Sequence, residues 1–109
     1  MSHYHDTDDL GRLKEMAELA PEEYAAWAAL NRIVGREDGQ VPRKYRELIA
    51  TAVAHTTQCV YCIEAHVKQA KRAGATKGEI AEAILIAAAM RAGGAAAHSG
   101  MALKFYDQV

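Results

Sequence analysis

Large aromatic side chains are scarce in this chain, which has one Trp and one Phe among 109 residues. Half of the residues are hydrophobic, but much of that half is alanine. A core built from small side chains lets helices approach closely yet buries little area per residue, so self-association is expected to add stability. Cysteine is also rare. Two cysteines are too few for the disulfide framework of a small secreted domain. Charge of one sign is missing as well: the net charge is −1 and acidic and basic residues are scattered, so nothing resembles the basic footprint that a phosphate backbone requires. No charged-then-apolar leader opens the sequence, and a cytoplasmic protein is expected. The most apolar window, Ile84 to Leu103, is rich in Ala and Gly and contains Arg91 and His98, so it reads as buried protein and not as a membrane span.

No stretch alternates with the period of an exposed strand, and no internal repeat is visible. The chain reads as all-α, with about six helices in one domain over residues 10–109. Residues 1–9 are a polar tail, and the histidines His3 and His5 beside Asp6 are read as solvated and not as a metal site. Leu10, Leu13, Met16, Ala17 and Ala20 recur with helical spacing. Pro21 suits the first position of a second helix, with Glu22 and Glu23 in its first turn and Gly35 closing it. Tyr24, Trp27, Leu30, Ile33 and Val34 stripe that helix as core or subunit interface. Pro42 opens a third helix, Thr56 to Gln58 offer a cap for a fourth, and Gly74 stands where its C-terminal glycine belongs. Thr76-Lys77-Gly78-Glu79 has the form of a capping box ahead of a fifth helix. Gly93 and Gly94 are expected to break that run, leaving a last helix from Ala95 to Tyr106.

The chemistry concentrates between Glu47 and His66. No Asp, Glu, Lys or Arg lies between Glu47 and Glu64, and this uncharged run holds Cys59 and Cys62 as a C-x-x-C pair. His66 follows Cys62 by one helical turn, so Cys59, Cys62 and His66 share a helix face. A helix N-terminus and a neighbouring imidazole both favour a thiolate, and a second thiol within reach closes a disulfide. If Glu47 faces His66, it orients the ring and makes a carboxylate–histidine–thiol relay; if not, Glu47 is an exposed residue of the charged half of its helix. Cys62 is nearer the base and Cys59 nearer the positive helix end, with the balance slightly towards Cys62 as the attacking sulfur. Two other readings of the pair stand beside this one. Zinc would need His66 together with His55 or His98 to complete four ligands, and the usual ligand spacing is missing. Two inert, buried cysteines are the third possibility. His98 itself reads as a core or interface histidine.

The combination Glu47, Cys59-Val60-Tyr61-Cys62 and His66 resembles the E…C-x-x-C-x-x-x-H pattern of the alkylhydroperoxidase D-like proteins of the carboxymuconolactone decarboxylase superfamily. The resemblance runs from about Val41 to Ala102 and includes R-E-L-I-A, A-H, R-A-G-A-T and G-E-I-A-E-A-I. It implies a compact helical domain assembling as a homotrimer or homohexamer. It further implies a thiol-dependent peroxidase or disulfide oxidoreductase with Glu47, Cys59, Cys62 and His66 as its catalytic relay and no cofactor. The partners implied are a hydroperoxide and a dithiol reductant such as a lipoylated protein, together with a peroxiredoxin, and neither nucleic acid nor membrane. Tyr61 stands where that pattern often has a histidine, and the chain is short, with one copy of the motif-bearing unit. Two alternatives accompany this expectation. One is the superfamily's lactone decarboxylase chemistry, which does not depend on a redox dithiol. The other is a non-enzymatic helical oligomer that senses oxidants or binds metal.

Overall fold

The computed structural model describes residues 4–109, so His3 lies outside the described residues. Those residues form a short 3-10 helix, Thr7–Arg12, followed by six α-helices and no strand, as the missing period-two pattern predicts. The α-helices are α1 Leu13–Leu19, α2 Pro21–Ile33, α3 Arg43–Thr57, α4 Val60–Arg72, α5 Lys77–Ala97 and α6 Ser99–Asp107. The chain divides into two compact units, Met1–Arg46 and Glu47–Val109, with α3 running from the first into the second.

In the first unit the 3-10 helix starts inside the stretch read as tail. Asp6 accepts the Asp8 N–H, and Asp9 reaches back to the Asp6 N–H at 2.8 Å, a reciprocal cap towards the end of that stretch. Pro21 begins α2 as expected, and Tyr24 and Trp27 place their ring centroids 5.6 Å apart. None of the described residues up to Arg46 is buried. Trp27, Leu30, Ile33 and Val34 are each about half exposed or more, so the α2 stripe is not core within the chain. The loop before α3 is closed by Arg46, whose guanidinium donates to the carbonyls of Val34 and Val41 at 2.9 and 2.7 Å. Gly39 lies against that guanidinium, and a β-carbon there would overlap it.

The second unit holds every buried residue among those described: Glu47, Thr51 and Ala54 on α3, Ala70 on α4, Ala75 in the following turn and Ala87 on α5. Glu47, Thr51 and Ala54 stand at i, i+4 and i+7, one face of α3. On α4 the buried Ala70 continues the line of Cys62 and His66. α5 packs on α4 through the face that carries Ile80, Ala83, Ile84 and Ala87.

The two turns that bound α4 are built alike. At the end of α3, Gln58 takes a left-handed φ of 58° and the Cys59 N–H donates to the Ala54 carbonyl at 3.1 Å. At the end of α4, Gly74 has φ 96° and the Ala75 N–H donates to the Ala70 carbonyl at 2.9 Å. Both have the six-to-one bond of a Schellman C-cap. The glycine was legible from the sequence and the glutamine was not. Thr56 and Thr57 therefore belong to α3, and the cap of α4 is Cys59 itself, not Thr56 to Gln58.

The Thr76 capping box forms as expected, with Glu79 N–H on Thr76 Oγ1 at 3.0 Å and Thr76 N–H on Glu79 Oε1 at 2.8 Å. Gly93 and Gly94 do not end α5, which runs to Ala97 with a break at His98. Each glycine costs a helix about 1 kcal/mol relative to alanine, and the surrounding alanines carry the helix across that penalty. The expectation that Ile84 to Leu103 is buried fails within this chain. Ala87 is buried, Ile84 is half-buried, and every residue from Ala88 to Val109 is exposed. The apolar run is a helical arm without cover, and over Lys77–Asp107 it is long and apolar enough to cross a membrane by length and composition alone.

Candidate active site

Cys59 ends the α3–α4 turn with extended backbone, and its Sγ accepts the Cys62 N–H at 3.2 Å. That contact is the N-cap interaction of α4, made by sulfur where serine or aspartate usually serves. Cys62 is then the third residue of the helix, and the two sulfurs are joined as a disulfide across a Cα–Cα distance of 5.2 Å. The Cys62 N–H and the positive end of α4 are of the kind that stabilise a thiolate at such a position.

One turn beyond Cys62, His66 projects from the same face of α4 towards α3. Its Nδ1–H donates to Glu47, 2.9 Å from Oε1 and 3.4 Å from Oε2. Glu47 is 3% exposed whereas the His66 side chain is 31% exposed. The carboxylate is thus inside the protein and the imidazole is partly exposed, with Nδ1 rather than Nε2 turned to Glu47. Sequence alone left the orientation of Glu47 undecided, and the structure turns it inward. Thr51, one turn further along α3 and fully buried, donates its hydroxyl to the Glu47 carbonyl at 2.8 Å. That bond fixes the backbone below the carboxylate. Thr51 was missed in the sequence reading, although its i+4 spacing from Glu47 was the available signal.

The four candidates thus come together as two pairs, Glu47 with His66 and Cys59 with Cys62, all within the second unit. His55 and His98 have different partners. His55 Nδ1 donates to the Thr51 carbonyl at 2.7 Å and His98 Nδ1 to the Gly94 carbonyl at 2.6 Å, each within or at the end of its own helix. Among the described residues no group of three or more His, Cys, Asp or Glu side chains is arranged to hold a metal ion.

An all-helical chain with a disulfide at a helix start and, one turn away, a histidine paired with a buried carboxylate defines a class of helical dithiol protein. The chain belongs to the carboxymuconolactone decarboxylase family, whose profile matches residues 21–104. It is 51% identical over 84 residues to "Uncharacterized protein 4 in cox locus" of Paracoccus denitrificans, covering 77% of this chain and 75% of that one. It is 40% identical over 89 residues to an alkyl hydroperoxide reductase of Mycobacterium tuberculosis, covering 78% of this chain but 25% of that protein. A crystal structure of a protein from Methanobacterium thermoautotrophicum superposes with a TM-score of 0.70 at 31% identity, over 79% of this chain and 96% of the other.

Proposed function

We propose that the protein is a thiol-dependent peroxidase that reduces hydroperoxides through a Cys59–Cys62 dithiol–disulfide cycle. The observation that carries this reading is the buried Glu47 carboxylate on His66 Nδ1, beside a C-x-x-C disulfide that caps the same helix. In the reduced protein His66 Nε2 takes the proton of a cysteine thiol while Glu47 stabilises the imidazolium. The thiolate attacks the outer oxygen of ROOH, forms a sulfenic acid and expels RO−, which leaves as ROH with the proton from His66. The second thiol displaces hydroxide from the sulfenic acid as water and closes the disulfide. A dithiol reductant then exchanges with the disulfide, leaving as its own cyclic disulfide and restoring both thiols. The similarity to an alkyl hydroperoxide reductase supports this class of substrate. A disulfide that must be reduced at each turnover fits a reducing compartment such as the cytoplasm, with a lipoylated protein as a reductant of suitable chemistry and a peroxiredoxin as a further exchange partner.

The same reading includes a homo-oligomer, a trimer or hexamer, in which the exposed arm of α5 and α6 is covered by other copies. Arg91 and His98 within that arm favour protein cover over lipid. The test of function is dithiol-dependent consumption of an organic hydroperoxide, with dihydrolipoamide as reductant and Cys59→Ser and Cys62→Ser alongside. Sustained turnover in the wild type and its loss in both variants is the expected result. Full turnover in either variant would refute the cycle, and a wild type reacting once per disulfide without turnover would mark a sensor. Absence of any peroxide reaction would turn attention to lactone decarboxylation, the other chemistry named by the family.

A further inference from the structure

A side chain of α5 reaches the C-terminal end of α3. Arg91 on α5 donates from Nη1 to the carbonyl oxygen of Thr56, 35 residues away in sequence. Thr56 is the penultimate residue of α3, and three residues later Cys59 caps α4. Arg91 also continues the α5 line of Ile80, Ile84 and Ala87, the face packed on α4, so the bond follows from how α5 is seated. The carbonyls at the end of a helix carry partial negative charge. Here that negative end lies three residues before Cys59, the first cysteine of the pair. Thr56 and Thr57 add hydroxyl donors to the Val53 and Ala54 carbonyls at 2.6 and 3.4 Å, but neither brings charge. The titratable groups nearest the disulfide along α3 and α4 are His55, Tyr61, Glu64 and His66, with Glu47 joined through His66. None of these is a permanent cation.

We propose that Arg91 is a positioning residue for the redox turn: its guanidinium neutralises the C-terminal end of α3 at Thr56, fixes the strained Gln58 turn and thereby favours the thiolate form of the dithiol. In the disulfide the sulfurs are uncharged, so the effect falls mainly on the reduced state and makes the pair more readily reduced. This rests on the reading of Cys59 and Cys62 as a working dithiol, but its test needs no peroxide.

The experiment equilibrates the full chain with reduced and oxidised glutathione, where protein disulfide plus two glutathione thiols gives protein dithiol plus glutathione disulfide. The thiolate fraction of the reduced protein is followed separately by ultraviolet absorbance against pH. Arg91→Gln keeps an N–H donor without the charge and is expected to move the equilibrium towards disulfide by about threefold or more, the scale of a charge at a helix end. Its thiolate is expected to form only at higher pH. Arg91→Lys keeps the charge and is expected to stay near the wild type. A lower melting temperature for Arg91→Gln with an unchanged equilibrium and titration would mean a purely structural contact and overturn the proposal, as would Arg91→Lys behaving like Arg91→Gln. If the wild type consumes no peroxide, the peroxidase reading fails while this comparison still returns its answer.

Discussion

Taking a carboxylate out of water costs several kcal/mol unless hydrogen bonds replace its hydration. Glu47 is 3% exposed, and His66 Nδ1–H supplies one such bond at 2.9 Å. An oriented imidazole is the return for that burial. Glu47→Gln preserves the volume and still offers an amide oxygen to Nδ1–H, so the fold is expected to survive. What disappears is the negative charge that stabilises the imidazolium, and kcat/KM for peroxide is expected to fall by about a hundredfold, within the range of general acid–base catalysis. His66→Gln is expected to cost a similar factor. In the proposed cycle both act through one proton transfer, so the double variant should lose little more than either single one. Steady-state kinetics of the three variants, with circular dichroism as a check on folding, tests this. Multiplying losses would mean that the two residues do not form a relay.

At the scale of the element, the two caps around α4 make a controlled comparison. Both use a left-handed residue followed by a six-to-one bond, but one position is Gln58 and the other Gly74. A non-glycine residue pays about 1–2 kcal/mol for that conformation, so Gln58→Gly is expected to stabilise the protein by about 0.5–1 kcal/mol once the greater entropy of glycine in the unfolded chain is subtracted. Gly74→Ala is expected to destabilise by about 1 kcal/mol, and since nothing lies within 4 Å of the added β-carbon, backbone conformation is the whole of the effect. Urea midpoints of the two variants should therefore move in opposite directions. These ends also show where the sequence was readable. Pro21, Gly74 and the Thr76–Glu79 box are local cap chemistry, and each appears where expected. The Gly93–Gly94 break fails because helix propensity is a sum over neighbours, and alanines outweigh two glycines. Cys59 as a cap, and Glu47 facing a histidine 19 residues away, depend on how α3 and α4 meet, which no local pattern encodes.

For the whole molecule, the decisive quantity is the apolar surface left open. On α5 and α6, Leu85, Ile86, Met90, Met101, Leu103, Phe105 and Tyr106 are all exposed. Covering that set would contribute on the order of 10 kcal/mol per chain, from roughly 1.5–3 kcal/mol for each fully buried large side chain less the part already shielded. A gain of that size is comparable to the stability of a whole domain, so an arm of this kind is expected to be covered in water at micromolar concentration. The glycines and alanines between the large residues suit close contact with another helix. Ile86 and Met90 lie one turn apart on this arm, away from the line of Ala87 and Arg91 that faces α4. Ile86→Asp combined with Met90→Asp is therefore expected to leave the packing on α4 in place while putting two charges into the proposed contact between copies. Burying an unpaired carboxylate is costly enough that the dissociation constant is expected to rise by about a thousandfold or more. Sedimentation without detergent should show the wild type at the mass of several chains and the double variant at a smaller mass, still helical. A wild type that stays dispersed only in detergent or lipid would instead identify the arm as a membrane contact, and a monomeric wild type in plain buffer would mean that the exposed arm folds back on its own chain.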